Sequence, residues 1–460
     1  MSRRPDGKLL ASRRGFLTSV AGMAAAASSS FAAGAASDAV ANPAPLGNFA
    51  AFNRDHIESF WGANQGGIVT PLQSHTYFAA FDLSAPRTED VVALLRAWTS
   101  AAARMAAGQP AQPLEGGLEL VAATGAGDVQ PNNNDSYETP EPVTMAADTG
   151  EALGLPPARL TLTFGFGVGL FSKEGKDRYG LASHRPEALV DLPKFAGDQL
   201  VEGHTGGDLS VQACADDPQV AFHAVRQLAR LAGSVAQVRW VQTGFTPAFG
   251  SNDTPRNLMG FKDGTNNPSI ADPGAMEKFV WVGNEGPAWM HGGSYLVVRR
   301  IRIALEHWDR MKVAFQEQTV GRSKYSGAPL GKKVEFDPLD LDAADADGNP
   351  VIPENAHVRL AAAATNGGAQ ILRRPYSYND GVNLTAERWP PWRQGLEYDA
   401  GLFFVCYQRD PRTGFIKIYE GMSKFDMMNQ FVTHVGGGIF ACPGGMAEGE
   451  FIGQRLFEST

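Results

Sequence analysis

At 460 residues, with a net charge of −9, 43% hydrophobic and 19% charged residues, 52 Gly and 29 Pro, the chain has the composition of a soluble, loop-rich globular protein. That composition excludes a disordered or fibrous chain, and the length predicts two large domains. The acidic balance argues against nucleic acid or an anionic membrane surface as a partner.

In chain order, residues 1–36 read first, as an export signal. A basic start is followed by Ser12-Arg13-Arg14-Gly15-Phe16-Leu17, an Ala-rich weakly apolar stretch and small residues at Ala33, Ala35 and Ala36. This is a twin-arginine pattern, which predicts a periplasmic or otherwise exported location. That route carries folded cargo and suits a protein that takes up its cofactor before export. The apolar stretch is short and broken by Gly and Ser, below the about 20 residues of a spanning helix, so no membrane span is expected after signal removal. Losing Arg3, Arg4, Asp6, Lys8, Arg13 and Arg14 leaves a net charge of about −13.

Hydrophobic periodicity then predicts two halves with the same order of elements, over residues 45–250 and 251–460. In the first, Thr76–Phe81 is a strand, 89–107 a helix, Leu160–Phe164 a strand, Val220–Leu231 a helix and Ala236–Val241 a strand. With insertions, this is a strand-helix-strand-strand-helix-strand outline. The second half is expected to repeat it, with Ser294–Arg299 a strand, Leu305–Phe315 a helix, Leu402–Tyr407 and Phe415–Tyr419 strands, Phe425–His434 a helix and a final short strand after Gly436-Gly437-Gly438. Split β-α-β units of this kind give an α+β fold of two ferredoxin-like domains with antiparallel sheets. Residues 124–150 and 335–355 read as surface insertions, and Asp345-Ala346-Asp347-Gly348 as a solvated acidic turn, because it lacks the remaining ligands of a calcium loop.

Cys214, Cys406 and Cys442 lie far apart with no C-x-x-C among them. That pattern rules out a sequence-evident zinc or iron–sulfur cluster and a C-x-x-C-H haem attachment, and the preferred reading is buried inert thiols.

Residues 256–268 form a polar loop in which Asp263 alone would read as a turn aspartate. Gly260-Phe261-Lys262-Asp263-Gly264-Thr265, however, resembles the GxxDG motif of dye-decolorizing peroxidases. Ala356-His357-Val358-Arg359-Leu360, followed by Ile371-Leu372-Arg373-Arg374-Pro375-Tyr376-Ser377-Tyr378, is similar to that family's histidine segment. Further similar stretches, 64–68 and 208–217, extend the resemblance over nearly the whole mature chain, and the closest subgroup is the twin-arginine-exported deferrochelatase/peroxidase branch of bacterial iron-uptake systems.

The resemblance implies a haem peroxidase that reduces hydrogen peroxide with one-electron oxidation of dyes, phenols or porphyrinogens. It also implies one non-covalent haem b per chain, held mainly by the C-terminal domain. His357 becomes the proximal iron ligand. Asp263 becomes the distal proton carrier, and Arg373 the distal cation that stabilises charge as the O–O bond breaks. Gly264, Thr265 and Asn266 are expected to line the haem, Arg322 to meet a propionate, and Arg374 to lie at the surface or pair with a propionate. Ala362–Ala364 stand where the family often has an Asn-Pro-Arg-like run, and so offer only packing or backbone contacts. An acceptor for the His357 ring is expected around Asp426, Asn429 and Gln430. Tyr376, Tyr378, Trp389 and Trp392 are read as packing ahead of electron relay. The other eight histidines, His56, His75, His184, His204, His223, His291, His307 and His434, are read as structural.

Two rival activities remain: a deferrochelatase that releases iron with the porphyrin intact, and a non-catalytic haem carrier, which would have no use for Asp263 and Arg373. Expected partners are hydrogen peroxide and a small-molecule electron donor or haem. A homo-oligomer and iron-uptake components are further candidates.

Overall fold

The computed structural model describes residues 54–114, 146–247, 254–386 and 394–458. The export signal, most of the 124–150 insertion, Trp389 and Trp392 lie outside the described residues.

The first half runs β1 (His75–Leu83), α1 (Thr88–Ala106), β2 (Thr161–Gly167), β3 (Leu209–Ala215), α2 (Pro218–Ala232) and β4 (Ala236–Phe245). β3 is the strand that the sequence outline required without placing. The second half runs β5 (Ser294–Ile303), α3 (Val313–Val320), α4 (His357–Ala361), β6 (Leu372–Arg373), β7 (Tyr376–Ala386), β8 (Gln394–Gln408), α5 (Phe415–Phe425) and β9 (Val432–Cys442), with shorter turns between. The strands pair antiparallel in the order β4-β1-β3-β2 in one half and β9-β5-β8-β7 in the other. Numbered within its half, each sheet is 4-1-3-2, the order of a ferredoxin-like split β-α-β unit.

The two sheets meet edge to edge. β2 joins β9 through Phe166↔Ala441 and Gly167↔Phe440, and β4 joins β7 through Phe245↔Ser377. Eight strands thus close into a ring, and β6 continues the β7 edge of β8 through Leu372↔Tyr407 and Arg373↔Cys406. Closure removes the exposed sheet edges that open sheets must protect.

Alternation along β1 assigns its two faces. Ala79, Phe81 and Leu83 pack beneath α1 and α2, whereas Phe78 and Ala80 point into the ring. Phe78 sits 4.9 Å from Trp240, 5.5 Å from Phe403 and 5.9 Å from Phe440, so one ring from the first half ties together strands of both. Phe78→Ala is expected to cost about 3–5 kcal/mol, as a fully buried aromatic replaced by a cavity. Chemical denaturation of the purified variant measures it.

Three expected elements differ. Phe415–Tyr419 is helical: a five-residue run with four apolar side chains cannot be told from a strand by periodicity, but Phe415, Ile418 and Tyr419 are buried at helical spacing on α5. Phe425–His434 is no helix, because Asp426 turns extended and caps a short 3-10 turn before β9 begins at Val432. Leu305–Phe315 breaks at Asp309–Lys312 into a short turn and α3. No helix among the described residues is long and apolar enough to cross a membrane.

Candidate functional site

The loop that carries Asp263 is shaped by glycine. Gly260 (φ +84°) and Gly264 (φ +117°) lie in the left-handed region that side-chain-bearing residues avoid, and they turn the chain on either side of the aspartate. The Asp263 amide donates to Pro255 O at 2.8 Å, and Arg256 Nη1 donates to Gly260 O at 2.8 Å and Lys324 O at 2.6 Å. Arg373 reaches the same loop from β6, and its Nη1 donates to Asp263 Oδ1 at 2.9 Å. Asn267 holds the Arg373 backbone from both sides, with Nδ2 donating to Arg373 O at 2.7 Å and Oδ1 accepting from Arg373 N at 3.2 Å.

Glu335, buried, spans the loop from beneath. Its carboxylate accepts from Lys262 Nζ at 2.5 Å and Thr265 Oγ1 at 2.9 Å, the residues flanking Asp263 and Gly264. Arg322, 4% exposed, donates to Gly327 O at 2.7 Å, to Glu335 O at 2.9 Å and to Asn266 Oδ1 at 3.4 Å. Sequence reasoning missed Glu335 and Asn267, because nothing local distinguishes a carboxylate or amide whose partners lie 70 or 106 positions away.

His357 opens α4, and its Nδ1 lies 2.7 Å from Asp426 Oδ2. The other oxygen of Asp426 accepts from Met428 N at 2.8 Å, so one buried carboxylate caps a turn and orients the ring together. Burial alone would lower the pKa of His357, but the charge and hydrogen bond of Asp426 outweigh it and the net shift is upward. With the Nδ1 proton committed to a carboxylate, Nε2 is left as a basic lone pair suited to a metal. The acceptor thus lies where the sequence search pointed. Asn429 instead donates to Met422 O and Ser423 O, at 2.9 and 3.1 Å.

Asp263, Gly264, Thr265, Asn266, Arg322, His357 and Arg373 all line one cavity of about 920 Å³, within the range of about 300–1,000 Å³ typical of cofactor pockets. Every lining residue lies between Asn257 and His434, in the second half of the chain. Ala361–Ala364 form part of the wall, while Ile301, Val320, Phe404, Ile418 and Met428 give it an apolar surface.

Several expectations change. Arg374 is neither at the surface nor in the cavity wall: it is buried, donating to Thr70 O and, at 2.9 Å, to Gln73 Oε1. The 335–355 insertion is only partly surface, since residues 336–342 line the cavity. Tyr376 and Tyr378 are wholly buried, as packing requires. The three cysteines are free and buried, and Asp345 accepts from the amides of Asp347 and Asn349 as an acidic turn. Asp148, from the other insertion, is buried 3.3 Å from His223 Nε2, and Glu151 lies 3.3 Å from His223 Nδ1. One ligand atom from each of Asp148, Glu151 and His223 lies within 4.8 Å of the others.

Among the histidines read as structural, His434 lines the cavity. Burial and the adjacent Arg299 charge hold its pKa well below the usual 6.5. The unfolded chain therefore binds a proton that the folded one refuses. This contribution to stability is full above pH 6.5 and declines as pH falls below it. Denaturation at pH 7.5 and pH 5 should show wild type losing more stability over that interval than His434→Asn.

Residues 65–246 match the Dyp-type peroxidase N-terminal family model and residues 254–447 the C-terminal one. The chain belongs to the Dyp-type peroxidase family. A dye-decolorizing peroxidase from Thermobifida fusca is 37% identical over 472 residues, covering 97% of each chain. A deferrochelatase from Escherichia coli K12 is 33% identical over 413 residues, covering 88% of each. Among solved structures, an oxyferrous complex of DtpA from Streptomyces lividans aligns with a TM-score of 0.73 and 39% identity, over 88% of this chain and 98% of that one. Members of the Dyp-type peroxidase family are haem-dependent enzymes, and the two matched segments of this chain meet the antiparallel α+β expectation.

Proposed function

We propose that the cavity binds one non-covalent haem b per chain, with His357 Nε2 on the iron and Asp263 and Arg373 acting on hydrogen peroxide. The observation that carries this reading is that the His357–Asp426 pair and the Arg373–Asp263 pair line the same cavity. The donor set suits haem: a neutral imidazole with a carboxylate behind it, apolar walls for the macrocycle, and a buried Arg322 able to meet a propionate.

When bound, haem supplies the iron that takes up peroxide and holds its oxidising equivalents. Asp263 accepts the peroxide proton and returns it to the departing oxygen. Arg373 provides a fixed positive charge beside it, stabilising the oxygen as negative charge develops. Asn267 and Glu335 hold that pair in register from outside the reacting atoms. Hydrogen peroxide and a small-molecule electron donor are the partners this chemistry requires.

The test is to purify the protein with haem, count haem per chain, and mix it with peroxide and a dye or phenol. One haem per chain with oxidation of the donor is expected. Absence of a Soret band after reconstitution, or a bound haem that peroxide leaves unchanged, overturns the reading in favour of no haem or of a carrier. The relation to deferrochelatases at 33% identity keeps a second product in view: free iron with intact protoporphyrin would assign that activity instead. Export rests on Ser12-Arg13-Arg14-Gly15-Phe16-Leu17, and Arg13→Lys with Arg14→Lys should retain the protein in the cytoplasm.

A further inference from the structure

His434 lies on β9, paired with Ile301 of β5, and its neighbours on the same face, Val432, Ile301 and Ile303, also line the cavity. The side chain is held on two sides. Its ring stacks on Tyr419, centroids 4.6 Å apart and planes 28° from parallel, and Arg299 Nε donates to its Nδ1 at 3.0 Å. Arg299 is itself fixed: its Nη2 lies 2.5 Å from Asp198 Oδ2, and both side chains are 1% exposed.

Arginine has donors and no acceptor, so Nδ1 must be the unprotonated nitrogen of His434. The single proton of the neutral ring therefore sits on Nε2. Among the described residues no side chain or carbonyl accepts from that nitrogen, although the residue is only 6% exposed and lines the cavity. That N–H opens on the cavity, and an occupant that excludes water there is left to supply its acceptor. In haem the ring nitrogens are committed to iron and the periphery is hydrocarbon, so the acceptors are the two propionate carboxylates.

We propose that His434 is a binding residue for the cofactor, its Nε2–H donating to a haem propionate, with Asp198 and Arg299 as the buried pair that fixes its tautomer. This inference rests on the reading of the cavity as a haem site. The side chain is a neutral donor locked in one orientation, unlike the charged and longer Arg322 on another part of the wall.

The test compares haem loss from holoprotein to excess apomyoglobin for wild type and His434→Asn, each loaded with haemin or with iron etioporphyrin, whose periphery carries no oxygen. The asparagine oxygen stands near the position of Nδ1 and continues to accept from Arg299, while nothing replaces the Nε2 donor. Haemin loss is expected to accelerate about ten- to hundredfold in the variant, and etioporphyrin loss to change by less than about threefold. Equal acceleration for both ligands assigns His434 to packing and overturns the proposal, as does unchanged haemin loss. Should the Asn variant fail to fold, His434→Gln carries the test through resonance Raman. Its amide reaches the Nε2 position, so the propionate-bending band should stay near wild type; bands of wild type and variant that both match haemin free in solution overturn the contact. Wild-type protein that binds no haemin at all overturns the haem reading itself, a distinct outcome.

Discussion

Asp263→Asn is expected to slow the loss of ferric Soret absorbance on mixing with stoichiometric peroxide by about 10²–10⁴, the usual contribution of a positioned proton carrier. Arg373→Leu is expected to slow it by about 10²–10³, the scale of removing one preorganised donor from developing negative charge. Asparagine has nearly the shape of aspartate and still offers an oxygen to Arg373 Nη1, so the loop should keep its fold while losing its base. The two residues are bonded to each other at 2.9 Å, and each variant also disturbs the partner left behind. The double variant should therefore lose far less than the product of the two single effects. Stopped-flow absorbance on all four proteins decides it: wild-type kinetics in both single variants would sink the distal assignment, and fully multiplicative losses would show that the pair does not act as a unit.

The parts of the site legible in the sequence were those that lie within short segments. Asp263 is flanked by glycines whose backbone angles the loop demands, and His357 and Arg373 stand in recognisable stretches in the right order. Asp426 was legible as a region, even though the helix expected there is a capped turn, because the search rested on what an imidazole ligand needs and not on the element. Glu335, Asn267 and His434 were not legible, since each acquires its role from partners that only the closed sheet brings near. The same limit governs the fold. Local periodicity gives most of the first half but leaves β3 unplaced; in the second half it misses β7, reads the helical Phe415–Tyr419 as a strand and makes a helix of Phe425–His434, which turns into β9. Closure of the ring depends on one register pair between β4 and β7 and two between β2 and β9, too few to leave a pattern in the chain. For Arg374, alternation correctly puts it opposite Arg373, but its destination at Thr70 and Gln73 lies 304 and 301 positions upstream and has no local signal.

Asp426→Asn should weaken iron retention without abolishing it, and His357→Ala should abolish axial ligation. The carboxylate of Asp426 does three things: it fixes the ring by a 2.7 Å contact to Nδ1, selects the tautomer that frees Nε2, and places negative charge behind the imidazole. An amide has a single acceptor oxygen: turned to Nδ1 it keeps the first two, removes the third and gives up the cap on Met428 N. Loss of such an outer partner typically costs 10–100-fold in metal affinity, so haem transfer to apomyoglobin should accelerate by about that factor. A less basic imidazole also donates less electron density to iron, and the ferric/ferrous potential should rise. His357→Ala leaves the apolar walls and Arg322 in place, so some haem should remain associated while the axial-imidazole spectrum disappears, and exogenous imidazole should restore it by filling the vacated space. If Asp426→Asn leaves both the haem-loss rate and the potential at wild-type values, the carboxylate serves only the turn it caps through Met428.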